Sequence, residues 1–156
     1  ILDMKGSYAG AMGYGQFIPS SYRHYAIDYD GDNVADILTN VTDAIGSVAN
    51  YFSMHKWKKG AEIAFLLSPE SSDVAAKFYA KSLKPNTLLS DMKKAGITIP
   101  EQLALEDKGK IQHYVLENSQ QDWLTLHNFY VITRYNHSHL YAMAVYELAK
   151  ELGLDK

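Results

Sequence analysis

The sequence predicts an α+β fold, mainly α, in which helical segments near both ends enclose a small β-rich insertion. Three observations predict it. Apolar residues recur at three- and four-residue steps over residues 41–56 and again over 128–152, the period of a one-sided helix. Short apolar runs bounded by polar turns occupy the middle of the chain, as strands do. An acidic loop with cation-ligand spacing stands directly before the first long helical stretch. The expected parts are a core with the loop over residues 1–56, the β-rich insertion over 57–127, and C-terminal helices over 128–156 that return to the core.

At 156 residues the length fits one domain with a small insertion. The net charge of −3 supplies no basic surface for nucleic acid or an anionic membrane. No apolar run approaches the roughly 20 residues that span a bilayer. With no cysteine, disulfide scaffolds, thiolate metal sites and cysteine nucleophiles are all excluded. Tyrosine is frequent, at 12 residues, and its flat apolar face with a polar tip suits either a carbohydrate cleft or the edge of an aromatic core. The opening Ile1-Leu2-Asp3-Met4-Lys5 has neither a start methionine nor a signal pattern, so the chain reads as a fragment or a processed product.

Taken in order, Gly6, Gly10, Gly13 and Gly15 form a turn-rich segment able to approach a ligand closely. It is not a phosphate loop, because the GxxxxGK[ST] lysine and hydroxyl are missing. Residues 16–22 read as a turn entering a short helix capped by Ser20. Over 41–56, Ile45, Val48, Ala49 and Phe52 form the helical stripe, Asn40 or Thr42 the cap, and Tyr51 lies off the stripe. Residues 61–67 read as a strand broken at Pro69, and 73–81 as a short strand or helix. A short helix over 87–95 ends at Gly96, and 110–116 pairs with 122–126 around a polar turn. Two helical stretches follow, the second capped by Ser138 or Asn136 and ended by Gly153. His127, His137 and His139 raise zinc as a possibility, but an HxH on a loop without a third ligand of fixed spacing reads as surface or hydrogen-bonded histidines.

The most specific chemical signal is Asp28-Tyr-Asp-Gly-Asp-Asn-Val-Ala-Asp36. Asp28, Asp30 and Asp32 take positions 1, 3 and 5 of an EF-hand-like calcium loop, Val34 offers its carbonyl at 7, and Asp36 falls at 9. Asn33 replaces the usual glycine at position 6, and Thr39 replaces the glutamate at 12, which leaves Asp43 as the closing ligand. Carboxylates this crowded repel one another without a cation, so calcium is expected, in a structural role.

Gly6-Ser-Tyr-Ala-Gly-Ala-Met-Gly-Tyr-Gly-Gln-Phe-Ile-Pro-Ser-Ser-Tyr22, the loop Asp28–Asp43, the stretch 43–52 and the stretch 128–145 together resemble the lytic murein transglycosylase B family. The resemblance is strong at both ends and loose over 57–127. It implies a lysozyme-like helical core and a bacterial envelope location: the periplasm, with outer-membrane anchoring through a lipid on an N-terminus this chain does not contain. The implied reaction cleaves the β-1,4 bond between N-acetylmuramic acid and N-acetylglucosamine in peptidoglycan and leaves a 1,6-anhydro sugar. It also implies that Ser7, Gln16, Tyr51, Tyr135, Asn136 and Tyr141 contact the glycan, and that Asp28, Asp30, Asp32, Val34, Asp36 and Asp43 hold calcium. The family's catalytic glutamate lies upstream of the Ser-Tyr-Ala-Gly motif, in a Glu-Thr-x-x-Gly context that this chain does not contain. The chain therefore reads as a C-terminal part whose partners are glycan strands and the N-terminal part of the same enzyme. The competing readings are a non-catalytic, calcium-stabilised peptidoglycan-binding module and a calcium-dependent interaction protein.

Overall fold

Residues 6–79 and 81–154 are described in the computed structural model, so the expectations placed on 1–5, on Ala80 and on the last two residues lie outside the described part. The chain divides at Lys56 into two compact units, residues 1–56 and 57–156.

The first unit is built on two helices, α1 (Pro19–Tyr25) and α2 (Val41–Met54). Proline at the first helical position starts α1 because its fixed φ suits a helix and its missing N–H would have no partner there. The cap position is therefore Ile18, with no side-chain cap, and the expected cap by Ser20 is corrected: Ser20 already lies inside the helix. Asn40 caps α2, its Oδ1 accepting from the amides of Thr42 and Asp43. The unit's few buried apolar side chains include Phe17, Ile37, Ala44 and Tyr51. Rings do most of the packing. Tyr25 meets Tyr51 edge-on at 4.6 Å, Phe17 lies 6.1 Å from Tyr51, and His55 stacks on Tyr51 at 4.1 Å. Edge and offset ring contacts of this kind contribute about 0.5–1.5 kcal/mol each beyond their buried area.

The second unit holds an antiparallel sheet in the order β1 (Ala64–Leu66), β4 (Gln120–Thr125), β3 (Lys108–Val115), β2 (Thr87–Leu88). The two long strands are the pair expected around the polar turn, registered with Ile111 opposite Leu124 and Gln112 opposite Trp123. Strand alternation then separates two cores. Ile111 and Leu124 pack with Leu67, Ala75, Leu89, Met92, Ile97 and Ile99. Tyr114 and Trp123 pack with Ala64 and with Phe129, Ile132, Ala142 and Tyr146 of helices α5 (His127–Tyr135) and α6 (His139–Glu151). The undecided stretch after Pro69 is helical: a 3-10 turn at Pro69–Ser71, α3 (Ser72–Ala75) and a second 3-10 turn at Ala76–Phe78. Helix α4 (Leu89–Lys94) follows β2, and Gly96 adopts φ +107 after it. Ser138 caps α6 by accepting from Tyr141 N, and Gly153 takes φ +69 at its end.

Candidate functional site

The glycine-rich segment forms a small hairpin-like turn. Met12 and Phe17 exchange two backbone hydrogen bonds of 3.0 and 3.1 Å, and Gly10 and Gly13 take positive φ inside or beside it. Gly13 is required for a second reason: a Cβ there would stand 2.3 Å from the carbonyl oxygen of Ile37. That close approach lets Tyr14 N–H donate to the same oxygen at 3.1 Å. Tyr22 adds a second tie, its hydroxyl donating to Ala35 O at 3.1 Å. The turn is therefore stitched to the far end of the acidic loop.

Ser7 and Gln16 are both exposed on this turn. Ser7 Oγ accepts from Ala11 N at 3.1 Å, and Gln16 Nε2 donates to Gly13 O at 2.9 Å. Gln16 holds φ +48, a left-handed conformation that a residue with a side chain enters at a cost of about 1 kcal/mol or more. The sequence reading did not anticipate this strain, because the four neighbouring glycines drew the expectation of positive φ. Tyr51 is buried at the centre of the aromatic cluster. In the second unit, Tyr135 is half-buried at the end of α5, and Asn136, its exposed C-cap, accepts from Ser138 N at 2.6 Å. Tyr141 lies 37 % exposed in the first turn of α6.

The carboxylates of the acidic loop accept from its own amides. Asp28 Oδ1 accepts from Gly31 N at 2.6 Å and its Oδ2 from Asn33 N at 2.7 Å, and Asp32 Oδ1 accepts from Val34 N at 2.8 Å. Asn33 takes φ +72, the left-handed turn expected of position 6. One carboxylate oxygen from each of Asp28, Asp30, Asp32 and Asp43 lies within 4.8 Å of the others. Asp30 accepts from Asn40 Nδ2 at 2.7 Å, and no lysine or arginine pairs with the group among the described residues. Four hard oxygen donors without a neutralising side chain match the chemistry of a calcium ion.

Two expected ligands are held otherwise. Asp36 stands outside the group, its carboxylate accepting from Leu38 N, Thr39 N and Thr39 Oγ1. The Thr39 hydroxyl foremost, with the Thr39 and Leu38 amides, holds its carboxyl below the usual range. Asp43 belongs to the group but is fully buried, and it also braces the loop. Its Oδ1 accepts from Tyr29 N at 2.8 Å and its Oδ2 from Asp36 N at 2.9 Å. The Tyr29 amide is the main cause that keeps Asp43 ionised to low pH, against the opposing pull of burial.

A second polar cluster lies in the sheet unit. Asp122, 5 % exposed, accepts from Tyr79 Oη at 2.5 Å and lies 2.9 Å from His113 Nδ1. Burial and the Asp122 contact push the Tyr79 phenol up to about 12. No local sequence pattern marks this cluster, because its members lie 9 to 43 positions apart.

Residues 1–150 match the transglycosylase SLT domain family, and the chain belongs to it. It is 42 % identical to the membrane-bound lytic murein transglycosylase B of Escherichia coli (strain K12) over 98 % of its own length and 41 % of the relative's. It superposes on the lytic transglycosylase SltB1 of Pseudomonas aeruginosa with a TM-score of 0.89 at 41 % identity, covering 97 % of this chain and 50 % of that one. The lytic transglycosylase Slt35 of Escherichia coli, solved in complex with calcium, gives 0.83 at 40 % identity over 99 % of this chain and 48 % of that one. The chain thus spans half the length of these relatives or less. Its fold is α+β, mainly helical and lysozyme-like, with the small sheet expected from the sequence. Among the described residues no helix is long and apolar enough to cross a membrane.

Proposed function

We propose that the chain is the C-terminal part of a peptidoglycan lytic transglycosylase of the bacterial periplasm, anchored at the outer membrane through a lipid outside these residues. Membership of the transglycosylase SLT domain family over residues 1–150 carries the reading. In it, residues 57–127 are an insertion and 128–156 return to the lysozyme-like core. Ser7, Gln16, Tyr51, Tyr135, Asn136 and Tyr141 contact the glycan: the partly exposed faces of Tyr135 and Tyr141 stack on sugar rings and the amides direct N-acetyl groups, whereas Tyr51, its face covered by His55, contributes no stacking. The strained backbone of Gln16 fits such a role, since strain of this kind collects at functional positions.

The general acid is assigned to a glutamate outside the 156 residues. Residues 1–56 contain no glutamate. Of the seven further on, six are exposed and Glu147 lies 4.0 Å from Lys150 Nζ. The acid protonates the glycosidic oxygen as the bond from C1 breaks. Its carboxylate then takes the proton of the muramic 6-hydroxyl as that oxygen bonds to C1, so no water is consumed. Asp28, Asp30, Asp32 and Asp43, with the Val34 carbonyl and Asp36 through water, would hold calcium, which supplies positive charge that neutralises the loop.

The test is turnover of murein by the isolated chain, read as released 1,6-anhydro-muropeptides. The expected result is binding of muropeptides without turnover, and release of anhydro product refutes the placement of the acid. The lack of glutamate in residues 1–56 favours one second reading, a non-catalytic binding module. It is separated by joining the chain to the unmatched part of the Escherichia coli relative: turnover by that chimera excludes it.

A further inference from the structure

The three residues of the second unit assigned to the glycan, Tyr135, Asn136 and Tyr141, bracket one corner: the last residue of α5, its C-cap and the third residue of α6. The conformation of that corner decides where the three side chains stand relative to one another. Its internal hydrogen bonds are local. Ser138 N donates to Asn136 O at 2.6 Å, Tyr141 N donates to Ser138 Oγ at 3.2 Å, and Arg134 Nη1 lies 3.1 Å from His137 Nε2. Arg134, Asn136 and His137 are exposed, so apolar burial does little to fix the corner from within.

Tyr114 of β3 reaches this corner from the sheet. Its hydroxyl donates to His139 O at 3.1 Å, and its ring lies 5.1 Å from the His139 ring. His139 is the first residue of α6, directly after the Ser138 cap and two positions before Tyr141. Tyr114 is buried among Trp123, Phe129, Ile132, Ala142 and Tyr146, and a ring so packed gives its hydroxyl a fixed place. The His139 imidazole offers no comparable tie. Its Nδ1 is buried without a hydrogen-bond partner among the described residues, and burial foremost, with the Lys110 charge, holds the ring below its usual range and hence neutral.

We propose that Tyr114 is a positioning residue for glycan binding: through its bond to His139 O it holds the start of α6, and with it the Asn136–Tyr141 corner, in the arrangement that meets the sugar. The inference rests on the reading of Tyr135, Asn136 and Tyr141 as glycan contacts, and it adds a residue on which their placement depends. A matched bond separates this role from a contribution to stability alone. Tyr146 is a buried tyrosine of the same core, and its hydroxyl donates to Ala64 O at 3.0 Å, on β1 and not at the corner. Removing either hydroxyl deletes one buried hydrogen bond to a backbone carbonyl, so the two changes are alike in kind and differ in place.

The test compares Tyr114→Phe with Tyr146→Phe in the 156-residue chain. The probe is a disaccharide pentapeptide of N-acetylglucosamine and N-acetylmuramic acid, its binding followed by calorimetry. Both variants should lower Tm by similar amounts, within about 2 °C of each other. Tyr114→Phe should raise the Kd about fivefold, the scale of one hydrogen bond's net contribution, while Tyr146→Phe stays within about twofold of the parent. A second readout needs no ligand: the Tyr141 amide should exchange with solvent several-fold faster in Tyr114→Phe and at the parent rate in Tyr146→Phe. Unchanged affinity in Tyr114→Phe, equal losses in both variants, or a Tyr141 amide that keeps the parent rate overturns the proposal and leaves the functional reading intact. Loss of the fold in Tyr114→Phe alone overturns it too, because the role is then structural. A parent chain that binds no disaccharide pentapeptide refutes the functional reading, and the proposal falls with it even where the amide responds.

Discussion

Replacing Gly13 by alanine should damage the first unit by an amount the structure allows to be separated into two parts. The first is conformational. Gly13 holds φ +69, where a side chain costs about 1–2 kcal/mol, offset by up to about 1 kcal/mol from a less flexible unfolded chain. The second is a collision: the new Cβ would stand 2.3 Å from Ile37 O and 3.0 Å from Ile37 C, both backbone atoms with no rotamer to change. Relief requires the turn and the loop to separate by about an ångström, which breaks the 3.1 Å bond from Tyr14 N and strands the Ile37 carbonyl, at about 1–3 kcal/mol. The total is about 1–5 kcal/mol, of which the collision contributes about 1–3. Gly31→Ala isolates the first part, since Gly31 has φ +83 in the same unit and nothing lies within 4 Å of its Cβ position. Urea unfolding of the two variants is compared by far-ultraviolet circular dichroism, with the fluorescence of the two tryptophans, both in the second unit, as an internal control. If Gly13→Ala unfolds within about 0.5 kcal/mol of Gly31→Ala, the tight contact between turn and loop is refuted.

Three further outcomes are expected. Asp28→Ala should weaken calcium binding and lower Tm, and chelator should lower Tm in the parent but barely in the variant; a parent melting point indifferent to chelator removes the calcium assignment. Gly46→Ala should also weaken calcium binding in a titration, because its Cβ would meet the Tyr29 side chain at 2.5 Å and push the Tyr29 amide off Asp43; unchanged affinity would show that Asp43 needs no bracing. Asp122→Asn should cost roughly 2 kcal/mol, the scale of hydrogen bonds to a charged group, and flatten the acid limb of the stability profile. Burial raises the Asp122 carboxyl, and the bonds from Tyr79, His113 and Ser72 outweigh it, leaving it below the usual range. A depressed carboxyl stabilises the fold above its unfolded value near 4, and that stability is lost as pH falls through the folded value. An unaltered acid limb in Asp122→Asn, followed by tryptophan fluorescence, would assign that limb to other groups.

What the sequence disclosed and what it hid divides along sequence separation. Asn33 at φ +72, Asn40 at the cap of α2, Gly96 and Gly153 beyond helix ends, and the β3–β4 pair are all determined by neighbours within a few positions, and each was legible. The error at Ser20 is of the same local kind: two start signals competed, and proline at N1 outranked the hydroxyl one residue later. By contrast, Tyr79 and Asp122 meet across 43 positions, and Tyr14 and Ile37 across a gap that only folding closes. Asp43 shows why spacing alone gives an incomplete account of a ligand set. Its position in the sequence gives only the expectation that it closes the loop. Its two oxygens, however, accept the amides of Tyr29 and Asp36, one near each end of the loop. A buried carboxylate so held ties the two ends of the loop together and sets its charge beside the carboxylates of Asp28, Asp30 and Asp32. The same loop carries Ala35 and Ile37, whose carbonyls receive Tyr22 Oη and Tyr14 N, so a few backbone bonds join the acidic group of Asp28, Asp30, Asp32 and Asp43 to the turn bearing Gln16.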